Sequence, residues 1–166
     1  CHAHLQYSVS CEQVFSMIES RYLDIKRELG LAVDIESDFA RLRQKLDKSL
    51  SVDELVSRGE FLTARMMAEF LGYDFVDAAQ LVCFDFDGKL NLDKTYEAMR
   101  QALSEHERIV MPGFYGSLPS GRIKVLSRGG SDISGALLAA ATGADVYENW
   151  TDVSGILMAD PRIIEN

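Results

Sequence analysis

From Leu81 onward the sequence alternates short apolar runs with amphipathic stretches, and that alternation narrows the possible folds more than any other feature. Leu81-Val82-Cys83-Phe84 and Arg108-Ile109-Val110-Met111 read as buried strands. Between them a helix is predicted near 94–106, with Leu92, Tyr96, Met99 and Leu103 along one side. A second helix is predicted from Ser131 to Gly143, its face built from Ile133, Ala136, Leu137, Ala140 and Ala141, and a third strand from Asp145 to Trp150. Strands joined through helices run parallel, so the expected class is α/β, with a mainly parallel sheet covered on both faces.

The first seventy residues carry helical periodicity only. Cys11, Val14, Phe15, Ile18, Tyr22, Ile25 and Leu29 recur at steps of three and four up to Gly30, and Phe39, Leu42 and Leu46 mark a shorter charged helix from about Ser37. Ser51-Val52-Asp53-Glu54 matches a capping box and opens a long helix that Gly72 stops. At 166 residues, 47% hydrophobic and 26% charged, the chain suits one globular core. A net charge of -9 argues against general binding to nucleic acid or anionic membranes. No apolar run is long enough for a membrane span, and no signal peptide is visible. Cys1, Cys11 and Cys83 are too scattered for a disulfide framework, as expected for cytoplasmic thiols. Cys1, His2, His4 and Cys11 lack the tight recurring spacing of a zinc site, so no metal ligands are expected in the chain.

Chemistry concentrates in the loop predicted over 112–130. Ser127-Arg128-Gly129-Gly130-Ser131-Asp132 places two glycines where a backbone can approach a ligand, ahead of a helix start with free N–H groups. Arg128 offers a planar fork to a carboxylate or phosphate, and Asp132 suits an ammonium group. The plainer alternative is a glycine turn with Ser131 capping the helix. Arg122, Lys124 and Arg128 reverse the molecule's negative charge locally, either to neutralise phosphates or as a solvated basic loop. Glu60 falls on a helical stripe with Val56, Ala64, Met67 and Leu71, where a carboxylate needs a partner, either an internal base such as Arg58 or a substrate ammonium. Thr151 and Asp152 stand at a predicted strand end, and Arg162 lies within reach of a nucleotide phosphate.

A competing pattern is Leu81 to Gly88, which resembles the aspartyl-nucleophile strand of haloacid-dehalogenase-type phosphohydrolases, with Asp85 as nucleophile. Lys89 stands where that family has threonine, no later acidic pair for Mg²⁺ is evident, and Asp87-Gly88 also reads as a hairpin turn.

Taken in order, Ser57-Arg58-Gly59-Glu60, Pro112-Gly113-Phe114-Tyr115-Gly116, Ser127 to Asp132, and Trp150-Thr151-Asp152-Val153-Ser154-Gly155 with Ala159-Asp160-Pro161-Arg162 resemble the aspartate kinases. The resemblance covers about Ser51 to the C-terminus. It implies an amino-acid-kinase fold, a three-layer α/β/α sandwich, incomplete in this chain. It also implies transfer of the ATP γ-phosphate, with Mg²⁺, to the side-chain carboxylate of L-aspartate in lysine, threonine and methionine biosynthesis, by a cytoplasmic homo-oligomer. By motif, Arg128 would grip the substrate α-carboxylate, Glu60 and Asp132 would face its ammonium group, and Gly129, Gly130 and Ser131 would complete that site. Thr151, Asp152 and Arg162 would contact ATP, and Leu157 takes the place of an aromatic residue that often lies by the adenine. Ile123-Lys124-Val125 and Ser127 depart from the family's threonine run and glycine. The family's N-terminal Lys-Phe-Gly-Gly-Thr segment, with its catalytic lysine, and its C-terminal ACT domains do not occur in these residues. The expectation is therefore one partial catalytic domain over 1–166, with no catalytic residue of its own and inactive by itself. A non-catalytic binding or regulatory chain of the same fold is the alternative.

Overall fold

A computed structural model describes residue 1 and residues 10–46, 50–127 and 129–150. Three helices come first: α1 (Glu12–Glu28), α2 (Ile35–Leu46) and α3 (Val52–Leu71). Strand β1 (Asp74–Phe75), the short helix α4 (Ala78–Leu81) and α5 (Leu92–Glu105) follow. Then come β2 (Ile109–Val110), β3 (Tyr115–Ser117), β4 (Ile123–Val125) and α6 (Gly130–Thr142).

Local chemistry explains most of the boundaries. Ser51 accepts from the Glu54 N–H, which is the first half of the expected capping box. The second half is missing because the Glu54 carboxylate pairs instead with Lys45 at 2.7 Å. Gly72 ends α3 in the left-handed region at φ 67°, where a side chain would be strained. Asn91 caps α5 through the Lys94 N–H, and Asp77 caps α4 through the Ala79 N–H.

Two apolar clusters hold these elements. Phe15, Ile35, Phe39, Leu42, Leu62 and Met66 close the first, where Phe15 and Tyr22 each meet the Phe39 ring edge-on. The second gathers Val76, Leu81, Val82, Phe84, Met99, Leu137 and Ala141 from α4, α5, α6 and the strand ends. On α1 the buried side is narrower than its apolar stripe: Phe15 is buried, whereas Val14, Ile18 and Leu29 are exposed.

The strand β1 pairs with β2 in parallel, Asp74 opposite Ile109 and Phe75 opposite Val110, across the crossover that contains α4 and α5. A parallel pair joined through helices fits the expected α/β class, but its first strand is Asp74–Phe75 and not the predicted run at Leu81 to Phe84. Three expectations need correction. Leu81 ends helix α4 instead of starting a strand, and Cys83 and Phe84 make only isolated bridges to Ser117 and Leu90, because Asp77 caps a helical turn just before them. The loop over 112–130 contains an antiparallel hairpin, with Tyr115, Gly116 and Ser117 opposite Val125, Lys124 and Ile123. Residues 145–150 form no strand, and Val146 and Trp150 lie 72% and 89% exposed, without a neighbouring strand among the described residues to pair with.

The hairpin is pressed onto the rest of the fold at Gly116. The Ser117 N–H donates to the Val82 carbonyl, and the Phe84 N–H donates to the Ser117 carbonyl. A Cβ at Gly116 would lie 2.1 Å from that same Val82 oxygen. Gly116→Ala is therefore expected to destabilise the protein by at least about 1–3 kcal/mol, the usual cost of overpacking a filled interior. Urea unfolding followed by circular dichroism checks this, and an unchanged midpoint would mean that the hairpin can move away.

Candidate functional site at the start of helix α6

Two loops meet at the N-terminal end of α6. The first follows β2 and carries Pro112, Gly113 and Phe114, and the second is Ser127 to Asp132. Phe114 is the only non-glycine residue among those described with positive φ, at 57°. A bulky residue in that region costs about 1–2 kcal/mol, so the surroundings must hold it there. They do so through two backbone hydrogen bonds: the Phe114 N–H donates to Ser134 Oγ at 3.0 Å, and its carbonyl accepts from the Leu126 N–H at 2.7 Å.

Ser134 is buried and works in both directions, donating its hydroxyl to the Gly130 carbonyl at 2.8 Å. One side chain thus joins the β2–β3 loop to the first turn of α6. The fit leaves no room for side chains: a Cβ on Gly130 would meet Phe114 Cβ at 2.8 Å and Leu126 Cβ at 2.9 Å, and one on Gly113 would meet Ser131 Oγ at 3.2 Å. Gly129 takes the N-cap position in the left-handed region at φ 79°, and no side chain caps the helix. The cap reading for Ser131 is therefore corrected, since α6 already begins at Gly130. An uncapped helix start with its dipole toward solvent favours an anion, and Ser131 and Asp132 lie exposed on its rim. Asn149 Nδ2 donates to Asp132 Oδ1 at 3.0 Å.

The structure thus brings together Gly129, Gly130, Ser131 and Asp132 with Phe114 of the 112–116 motif, and adds Ser134 and Asn149, which the sequence reading did not single out. A serine one turn into a small-residue helix looks like packing, and an unusual φ leaves no mark in composition. Arg128, Thr151, Asp152, Leu157 and Arg162, together with His2 and His4, lie outside the described residues.

Glu60 corrects the expectation of a buried carboxylate. Most of its stripe faces outward: Val56, Met67 and Leu71 are 48%, 44% and 46% exposed and Glu60 is exposed with them, while Ala64 alone of that stripe is buried. Helix α3 packs instead on Ser57, Leu62, Ala64, Met66 and Ala68. Arg58 is not its partner, because that guanidinium binds Ser57 Oγ and lies over the Phe61 and Tyr115 rings. The basic run is carried by β4 and its approach, with Lys124 Nζ 5.9 Å from the Phe84 ring centre and Arg122 exposed. Asp85 offers no nucleophile at a strand end. It sits in a hairpin turn, its N–H bonded to the Lys89 carbonyl and its carboxylate to Asn91 Nδ2 at 2.8 Å.

Comparison with known proteins adds independent findings. The sequence model of the family described as the amino acid kinase family matches residues 15–166. Aspartokinase 3 of Bacillus subtilis is 29% identical over 95% of this chain and 38% of its own length. The aspartokinase of Mycolicibacterium smegmatis is 33% identical over 83% of this chain and 35% of its own. Among solved structures, the aspartate kinase of Clostridium acetobutylicum superposes with a TM-score of 0.87 at 42% identity, covering 100% of this chain and 38% of that one. The aspartokinase III of E. coli, in complex with aspartate and ADP, superposes with a TM-score of 0.72 at 27% identity, covering 90% and 38%. The chain thus spans under two fifths of the length of these relatives.

Ser134→Ala is expected to cost about 1–3 kcal/mol, because it leaves the Phe114 N–H without its acceptor, whereas the Gly130 carbonyl keeps its helical backbone donor one turn on. Hydrogen exchange should show faster exchange at Phe114 and in the first turn of α6. Unchanged protection would mean that the hydroxyl does not hold the two loops together.

Proposed function

The chain belongs to the amino acid kinase family, and on that premise we propose that it forms part of the catalytic domain of an aspartate kinase. The observation that carries the proposal is the junction of Phe114 with the uncapped, glycine-lined start of α6, whose backbone N–H groups suit an anionic group. It coincides with the motifs most specific to that family resemblance, and the E. coli relative holds aspartate and ADP.

In this reading Arg128 grips the α-carboxylate of L-aspartate with its planar fork, which the helix dipole reinforces. Asp132, steadied by Asn149, and Glu60 face the substrate ammonium group, while Ser131 and the glycines border the substrate. The exposure of Glu60 suits a residue that meets a ligand, not one that serves the core. Thr151, Asp152, Leu157 and Arg162 serve the nucleotide. An oxygen of the substrate side-chain carboxylate attacks the γ-phosphorus, the bond to the bridging oxygen breaks, and ADP leaves with its electron pair. Such a transfer depends on positioning and charge neutralisation and needs no protein nucleophile. Among the described residues no three His, Cys, Asp or Glu side chains are grouped to hold a metal. Mg²⁺ would accompany the ATP phosphates, as is usual for that ion. The same reading gives a cytoplasmic homo-oligomer serving lysine, threonine and methionine biosynthesis. No described helix is long and apolar enough to cross a membrane.

Titration calorimetry on the chain tests the substrate half of this reading without requiring turnover. L-aspartate should bind, D-aspartate should bind far more weakly, and Arg128→Ala should lower affinity about tenfold or more, the scale of a lost charge-assisted hydrogen bond. Equal binding of the two enantiomers, or an unaffected variant, would overturn the assignment of this site to aspartate.

A further inference from the structure

Away from the α6 junction, a cleft of about 400 Å³ opens between α2, α3 and the end of β1. Four basic side chains line it against three acidic ones, on a chain whose net charge is -9. Its acids are already engaged. Asp38, with only 7% of its side chain exposed, is shared by Arg41 at 2.6 Å and by Arg65. Glu54 pairs with Lys45. Asp77 accepts the Tyr115 hydroxyl at 2.7 Å and the Ala79 N–H at 3.0 Å. Burial, the neighbouring Asp77 charge and that hydrogen bond push the Tyr115 phenol far above its usual range, so it stays a neutral donor.

Arg58 is different. Among the described residues no carboxylate lies within 4.0 Å of its guanidinium, which donates through Nε and Nη2 to Ser57 Oγ at 3.2 and 2.9 Å. It lies over the Phe61 and Tyr115 rings, 4.6 and 5.2 Å from their centres. A guanidinium fixed by two rings and a hydroxyl has little freedom left to lose when it binds.

We propose that this cleft is a second ligand site, separate from the α6 junction, which binds a small organic anion carrying a carboxylate or phosphate on Arg58 with Arg41 and Arg65. Phe61 and Phe75, meeting edge-on at 5.3 Å, supply the apolar wall for the rest of the ligand. The shared Asp38 does not compete, since two guanidiniums on one carboxylate leave a positive surplus.

The test is an NMR titration that follows the arginine Nε–H signals at constant ionic strength, with sodium phosphate and sodium succinate in separate arms and chloride as control. The expected result is saturable shifts at Arg58 and Arg65 with at least one anion, and the more effective arm identifies the favoured chemistry. Arg58→Gln, read at Arg65, should weaken binding about tenfold or more. Arg41→Gln should also weaken it, and that side chain is 68% exposed, so the fold is not at risk. Arg128→Ala, which weakens aspartate binding in the reading above, should leave this site intact, so the two claims fail separately. Linear shifts matching those of chloride, or unchanged affinity in Arg41→Gln and Arg58→Gln, would overturn the proposal.

Discussion

One buried hydroxyl carries the geometry on which the α6 junction depends. Ser134 receives the Phe114 N–H and donates to the Gly130 carbonyl, and so fixes the loop after β2 against the first turn of α6. Both bonds are short-range and directional, and loss of the hydroxyl would leave the Phe114 N–H without its acceptor. The left-handed Phe114 is held by its two backbone bonds, to Ser134 Oγ and from the Leu126 N–H. The glycines follow as well: at Gly130 any side chain would push the loops apart, and at Gly113 it would press on Ser131.

The hairpin that supports this junction is held by a second close approach. Gly116 lets the β3 backbone run against Val82, and Ser117 hydrogen-bonds on both sides of that contact while its hydroxyl donates to the Ala79 carbonyl at 2.6 Å. Tyr115, fully buried between these glycine-dependent contacts, passes the constraint to Asp77 and so to the start of α4. The α6 junction and the basic cleft therefore meet at neighbouring residues, Phe114 of the β2–β3 loop belonging to the first and Tyr115, which opens β3, to the second. They are chemically distinct nonetheless: one offers backbone N–H groups at a helix start, the other guanidiniums over aromatic rings.

Much of this was legible in the sequence where a single physical rule decides the outcome. The five longer helices follow from periodicity and glycine or polar caps, as with Ser51 and Gly72 around α3. The parallel β1–β2 pair confirms the α/β class, and the Asp87-Gly88 hairpin turn follows from a glycine at φ 80°. Legibility failed where two rules compete. Leu81 to Phe84 is as apolar as a strand, but the Asp77 cap draws its first residue into a helical turn. The β3–β4 hairpin is hidden among glycines and prolines that read as loop. Glu60 was misplaced because periodicity identifies an apolar stripe without saying which side of a helix has a partner. At the α6 junction the glycines, Asp132 and the motif containing Phe114 are apparent from the chain, whereas the left-handed turn at Phe114 and the roles of Ser134 and Asn149 arise from tertiary contacts that no local pattern encodes.

The central claim, that the junction of Phe114 with the start of α6 receives the carboxylate substrate, is tested most directly by a crystal structure of the chain grown with saturating L-aspartate. The account predicts the ligand with its α-carboxylate toward the N–H groups of Gly130 and Ser131, and its ammonium group toward Asp132. L-aspartate seated elsewhere, with that helix start closed by the protein's own groups, would contradict it.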